Sequence, residues 1–206
     1  GRRPLNGVKV AELPLGDLGG VGTGVHVVSG TVPALPPAGG LDHVMVLALA
    51  SGDGGGYDTI HDSAPYPCRE SFVQPRMEGD LCCEFVAGQV RIRVGGIANP
   101  RSADNLSGTL VLEIWSLDGA YQGNQWTGVP VASAVLGTLA GQDAWSAWDL
   151  TVPAVLPPGP GHLTLMLREW TPAGYVTRDY RSIAAPTVAA AQPMPAEVAP
   201  AKAEAA

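Results

Sequence analysis

Hydrophobic and polar residues alternate in short runs through the second half of the chain. After Gln89, arginines alternate with Val90, Ile92 and Val94, and a similar two-residue period recurs further on. That period places successive side chains on opposite faces of a β-strand. It predicts strands near residues 89–95, 108–117, 129–137, 144–151, 162–170 and 175–181. Turn-forming residues separate the runs, so the segment is predicted to form an antiparallel β-sandwich or small barrel.

One strand-sized run in the first half is apolar on both faces. The sequence HVMVLALA at residues 43–50 has no polar alternation after its histidine, which is typical of a strand buried on both sides. Its counterpart HLTLMLREW at residues 162–170 has one apolar and one mixed face. We therefore expect the first strand to be covered on both faces and the second to have one face less deeply buried.

The two halves of the chain repeat each other. GVKVAELPLGDLGG at residues 7–20 and GVPVASAVLGTLAG at residues 128–141 agree at eight of fourteen positions. Further matches follow in the same order along both halves: Thr31–Ala34 with Thr151–Ala154, His43 with His162, and Tyr57 with Tyr175. Self-similarity over this length predicts two tandem structural modules.

The second copy contains more than the first. Two predicted strands precede residue 128, and no counterpart of them precedes Gly7. The predicted fold is therefore all-β, with two tandem antiparallel β-sandwich-like modules, the first lacking its N-terminal strands. The expected domains are an incomplete module (1–67), a Cys-containing linker (68–88), a complete sandwich module (89–183) and an Ala/Pro-rich disordered or extended tail (184–206).

A sheet that lacks strands exposes edges that natural proteins usually cover. Three sources could complete the first module: upstream sequence cleaved from this chain but still bound, a strand of a second copy, or the second module itself. The expected partner is accordingly another protein chain or the chain itself, acting by strand complementation. Because the chain starts with Gly1, we expect a processed N-terminus or the start of an expressed fragment.

Composition restricts the other partners. The chain has 27 glycines and 19 prolines in 206 residues, which disfavours long helices, and its net charge is −7. With only two lysines and no basic stripe, nucleic acid and anionic membrane are disfavoured as partners. No apolar run approaches the roughly 20 residues of a membrane-spanning helix, so no membrane span is expected.

All five tryptophans lie in the second copy. If the strands near 108–117 and 162–170 are neighbours, Trp115, Glu113, Arg168 and Trp170 share an outer face, with a cross-strand ion pair between the two charged residues. Flat aromatic rings beside polar groups suit a sugar, which could make this face a glycan site, and they equally suit a protein interface or core packing. The candidate interaction or ligand face also includes Trp126.

Three cysteines lie between the two copies. Cys82 and Cys83 are adjacent, so a disulfide would join Cys68 to one of them, and the alternative is three reduced thiols. The sequence leaves the localisation unknown; a bridge would favour an extracytoplasmic or cell-surface site.

The remaining motifs predict no catalytic centre. SGDGGGYD at residues 51–58 is interpreted as a glycine-rich turn, because no helix pattern follows it as a phosphate loop requires. His61 and the cysteines lack the paired spacing of a zinc site, and neither GxSxG nor HExxH is present, so no metal, cofactor or catalytic residue is expected. The sequence thus predicts a non-enzymatic structural or interaction protein that is a subunit of a larger assembly, with a carbohydrate-binding module and an enzyme with an inter-module cleft as alternatives.

Overall fold

The fold is described from a computed structural model. It covers residues 7–16, 25, 27–52, 57, 59–123 and 125–184. These residues form ten strands and no helix, and every strand pair is antiparallel, so the all-β prediction is confirmed. In that part of the chain we find no helix with the length and apolar character that a membrane crossing requires. The strands are β1 (His43–Ser51), β2 (Thr59–Glu70), β3 (Arg76–Val86), β4 (Gln89–Asn99), β5 (Leu110–Leu117), β6 (Gly128–Gly137), β7 (Asp143–Trp145), β8 (Trp148–Pro153), β9 (His162–Thr171) and β10 (Gly174–Ser182).

Two sheets enclose the main core. One has the strand order β10-β9-β5-β6, and the other places β4 between β3 and the short strands β7 and β8. Apolar side chains at alternate positions of the central strands point inward, as the two-residue period predicts. The fully buried members of this core are Val90, Ile92, Ile97, Leu110, Leu112, Ile114, Leu165 and Leu167.

Strand β3 lies within the segment that the sequence predicts as a linker, and there the structure differs from the prediction. Leu81, Cys83 and Phe85 of β3 pack against the sandwich core. The backbone N–H of Met77 donates to the Asp179 carboxylate of β10 at 2.8 Å, which ties the two sheets together. Residues 76–86 are therefore part of the sandwich, because their inward side chains extend its apolar face. The wider division of the chain into domains stays a prediction.

Strands β1 and β2 form a separate two-stranded sheet. β1 begins at His43, as β9 begins at His162, so both copies of the repeat start a hairpin at the same position. The prediction that β1 is buried on both faces is wrong for the chain as described. Leu47 is 64% exposed, and Val44, Val46 and Leu49 are exposed as well. Among the described residues, no strand or loop lies over either face of this hairpin closely enough to bury these side chains.

The earlier part of the first copy does not form the strands that the repeat predicts. Residues 7–16 and 31–33 are irregular, whereas their counterparts lie in β6 and β8. β6 pairs with β5 and β8 pairs with β4, and the described residues before β1 contain no equivalent of β4 or β5. Without such neighbouring strands, residues 7–16 and 31–33 have no described partner with which to form β-sheet hydrogen bonds. Positions 17–24 of the repeat and the tail beyond 184 lie outside the described residues.

One backbone hydrogen bond is nevertheless common to both copies. Leu35 N–H donates to the carbonyl of Val10 at 2.7 Å, and Val155 N–H donates to the carbonyl of Val131 at 3.0 Å. The repeat aligns Val10 with Val131 and Leu35 with Val155. The two copies therefore share a local backbone contact as well as a sequence.

A short part of the first copy packs on the outer face of the sandwich. Ala38 is buried with Leu117, Tyr121 and Met166 in a second apolar cluster. The backbone N–H of Gly39 donates to a carbonyl of β10 at 2.9 Å. This contact covers part of the sheet face opposite the main core.

Candidate functional site

The structure brings four of the predicted site residues together. Glu113, Trp115 and Trp126 lie around the guanidinium group of the fourth, Arg168. Arg168 of β9 donates through Nη1 to Oε2 of Glu113 on the neighbouring strand β5 at 2.7 Å. Its Nη2 donates to the carbonyl of Tyr175 at 2.7 Å. The guanidinium carbon lies 5.5 Å from the ring centre of Trp126 and 5.8 Å from that of Trp115, within the range of cation–π attraction.

We refer to Glu113, Trp115, Trp126 and Arg168 together as the cage. Its two tryptophan rings contact each other, and Trp115 is also oriented by the Glu113 carboxylate. Trp115 Nε1 donates to Oε2 of Glu113 at 2.7 Å, and its ring meets that of Trp126 edge to face at 4.5 Å. Both rings are half-buried, and Arg168 lies beside them. Much of the flat surface that a sugar would need is therefore occupied by protein groups.

Trp170 lies apart from this cage. The residue is 54% exposed, and its ring contacts that of Tyr175 edge to face at 5.1 Å. Tyr175 also flanks the guanidinium of Arg168 at 5.8 Å, so it links Trp170 to the cage. Sequence reasoning missed Tyr175 as a site residue, although it is the direct cross-strand partner of Trp170 across the β9–β10 turn.

A groove of about 610 Å³ borders the cage. One wall comes from the first copy at Leu35 and Pro36, and the other from Tyr121, Trp126 and Tyr175 of the second. Burial raises the pKa of the Tyr121 hydroxyl, against the lowering effect of a hydrogen bond with Thr177. The groove is thus a partly apolar channel with aromatic and hydroxyl groups along one side. Its first wall could not be found from the sequence, because residues 35–36 reach it through an irregular segment.

The β1–β2 hairpin is the second candidate site. Its apolar side chains face outward on both sides, and β1 carries no charged residue between Val44 and Ala50. The free edge of β1 pairs with no other strand of the described chain. Contacts at its ends hold the hairpin closed: Ser51 Oγ lies 2.7 Å from His61 Nε2, and the ring of His43 lies 5.9 Å from that of Phe72.

The glycine-rich segment connects these two strands. Ser51 of β1 and Thr59 of β2 are paired, so residues 52–58 link the two strands in sequence. Residues 53–56 and 58 lie outside the part of the chain that the structure describes.

All three cysteines are free thiols in the structure, the second of the two alternatives that the sequence leaves open. Cys68 is exposed on β2. Cys82 and Cys83 point to opposite faces of β3, because they are consecutive in a strand. Cys83 packs toward the core, and burial together with the neighbouring Cys82 raises its pKa to about 11. Cys82 lies 3.5 Å from Arg93 Nη2 on the outer face.

The buried carboxylates are engaged in structural contacts. Glu169 accepts hydrogen bonds from both terminal nitrogens of Arg101 at 2.8 Å, from the Gly108 backbone at 2.9 Å and from Arg178 at 2.6 Å. Asp179 receives the backbone N–H of Met77 and the guanidinium of Arg181. Within the described ranges no group of three or more His, Cys, Asp and Glu side chains is arranged to hold a metal ion.

Comparisons with models of protein families, with curated proteins and with solved structures found no match for this chain.

Proposed function

We propose that this chain is a non-enzymatic structural or interaction protein, a subunit of a larger assembly in which a β-strand from a partner chain completes the β1–β2 hairpin. The observation that carries the proposal is the exposure of apolar side chains on both faces of β1. A two-stranded sheet alone is marginally stable in water, whereas three or more strands with a buried face are stable. Each half-exposed Val or Leu of β1 that a partner covers stabilises the complex by roughly 1 kcal/mol.

The repeat supports a particular kind of partner strand. In the second copy, β9 pairs with β10 on one edge and with β5 on the other. In the first copy, β1 corresponds to β9 and pairs with β2 on one edge, while its other edge has no strand of the described chain. A strand with the apolar character of β5 is therefore the natural complement of β1.

The buried carboxylates support a structural rather than a catalytic role for the sandwich. Asp179 of β10 joins the two sheets through the backbone N–H of Met77 on β3. Glu169 of β9 binds Arg178 of β10 and also Arg101 in the segment between β4 and β5. A carboxylate held by two arginines is a poor general base, because its proton affinity is lowered.

A synthetic peptide tests the proposal. The peptide would carry residues 109–117 of β5 with flanking lysines for solubility, and its binding would be followed by fluorescence anisotropy. We expect saturable binding that Leu47→Lys weakens at least tenfold. Val135→Lys is the matched control, because Val135 is a 71% exposed apolar residue on β6. Absence of binding by a chain that is monomeric in light scattering, or equal weakening by both substitutions, would contradict the proposal.

The exposed ring of Trp170 favours a second candidate function, carbohydrate binding. A pyranose could stack on this ring while reaching the groove beside Tyr175 and Trp126. The test is glycan-array binding by the intact chain and by Trp170→Ala, with Tyr66→Ala as an exposed aromatic control on β2. Binding lost only in Trp170→Ala supports this function, and binding that survives the substitution rejects it.

A further inference from the structure

We propose that the strand that completes the hairpin comes from a second copy of this chain, whose β1 pairs antiparallel with β1 across a two-fold axis. This inference rests on the proposed function and names its partner. The product is a four-stranded sheet with the order β2-β1-β1-β2, in which both β1 strands are central.

The two edges of the hairpin differ in their capacity to pair. β2 contains Pro65 and Pro67, which have no N–H to donate, and its sequence also carries Asp62, Arg69 and Glu70. Proline and charge are the features by which natural edge strands avoid pairing. β1 contains neither between its first and last residues. The edge of the hairpin that can pair with another strand is therefore the free edge of β1.

The chemistry of β1 suits an identical partner. The chain has a net charge of −7, so a partner surface of the same chain would usually bring like charges together. The segment from Val44 to Ala50 is uncharged, so two copies of it meet without such repulsion. As a central strand, β1 would gain cross-strand neighbours on both faces. These lateral neighbours would shield part of the apolar side chains on each face.

Symmetry favours a closed pair. Two identical strands that run antiparallel are related by a two-fold axis, and such an interface buries the same surface on both subunits and closes after one contact. The nine residues of β1 have Leu47 at their centre. In the symmetric register Leu47 faces its own counterpart and Val46 faces Ala48 of the copy. Apolar residues then oppose apolar residues along the uncharged part of the strand.

Cysteine scanning tests the pairing and locates the axis. The background would replace the native thiols (Cys68→Ser, Cys82→Ser, Cys83→Ala) and receive one new cysteine at a time. Positions to be scanned along β1 are Val44, Val46, Leu47, Ala48 and Ala50. Only a residue close to the two-fold axis faces its own copy, so we expect disulfide-linked dimers with a single maximum at or next to Leu47. Ser63→Cys and Ala64→Cys on β2 are the controls and should remain uncrosslinked.

Light scattering on the unmodified chain completes the test. We expect twice the chain mass of 21.2 kDa, with Leu47→Lys halving the mass and Val135→Lys leaving it unchanged. Thermal unfolding of the sandwich should be the same for all three proteins, because neither side chain belongs to the sandwich core. A monomer that binds the β5 peptide at β1 would overturn this inference and leave the proposed function standing. A monomer that does not bind the peptide would overturn both, and cross-linking without a maximum along β1 would overturn the two-fold pairing.

Discussion

Glu169 shows how single polar residues hold the sandwich together. Only 3% of the residue is exposed, and its carboxylate receives two arginines and a backbone N–H. Burial alone would raise the pKa of Glu169, but the hydrogen bonds of Arg101 and Gly108 and the charge of Arg178 hold it below its ordinary value of 4.5. The ionised form is therefore favoured in the folded chain.

Substitution of Glu169 should destabilise the fold in a pH-dependent way. Because the folded pKa is lowered, the stabilisation is fully present above about pH 4.5 and is lost as the pH falls through the folded value. Glu169→Gln leaves two arginines without their carboxylate, so we expect a loss of about 3 kcal/mol in the free energy of unfolding at neutral pH. Urea unfolding of both proteins at neutral pH and at about pH 3 measures the difference, which should shrink on acidification. A difference independent of pH would contradict this account of the carboxylate.

The thiols should differ sharply in reactivity. The thiolate is the reactive form, and burial together with Cys82 raises the pKa of Cys83 to about 11. We expect a thiol reagent at about pH 8 to modify exposed Cys68 quickly and Cys83 only after unfolding, as measured by mass spectrometry of the labelled peptides. Equal rates at the two sites would contradict the packing of β3. A count of one thiol in the denatured, unreduced protein would reveal a bridge that the structure does not contain.

At the scale of elements, similar sequences form different structures in the two copies. Gly128 begins β6, and a Cβ added there would lie 2.5 Å from the carbonyl oxygen of Ser116. Its counterpart Gly7 lies in an irregular segment, where an added Cβ meets no described atom within 4 Å. The glycine is thus required by a close strand approach in one copy only.

These two glycines form a matched pair for mutation. Gly128→Ala should lower the free energy of unfolding by about 2 kcal/mol, because the backbone of β5 must shift to accept the new methyl group. Gly7→Ala should change it by less than about 0.5 kcal/mol. Thermal or denaturant unfolding of the two variants checks the contrast. Equal effects would mean that residues 7–16 form the same strand contacts as β6.

An element could be predicted where its formation depends on the pattern within its own sequence, and could not where it depends on neighbouring strands. The strands around the main core could be predicted because alternation along one strand reports burial on one side, as at Ile92 and Val94. β3 is absent from the sequence prediction although Leu81, Cys83 and Phe85 alternate with polar residues, because it lies between the two copies of the repeat, where the sequence predicts a linker. The irregular state of residues 7–16 could not be predicted, since it depends on neighbouring strands rather than on the repeated sequence.

The candidate site shows the same difference between features set by strand pattern and features set by distant segments. The Glu113–Arg168 ion pair could be predicted because it depends only on β5 and β9 being neighbours. The positions of Trp126 and of the groove wall at Leu35 depend on loops, for which alternation gives no information. Whether these residues bind a ligand stays a prediction.

At the scale of the whole molecule, the described residues combine a sandwich that has its own core with a hairpin that belongs to neither apolar cluster. The core residues of both sheets are fully buried, whereas β1 exposes apolar side chains on both faces. This contrast is the basis for our proposal that a strand of another chain completes the hairpin.

Hydrogen exchange of the β1 backbone in the intact protein, resolved to single amides by NMR, tests this claim most directly. In a lone hairpin the amides that point away from β2 exchange with solvent, whereas in a completed sheet both sets of β1 amides are protected. We predict slow exchange at consecutive residues of β1 from Val44 to Ala50, together with rapid exchange of the outward amides of β2. Rapid exchange of every second amide along β1, at concentrations where the proposed pair should form, would contradict the account.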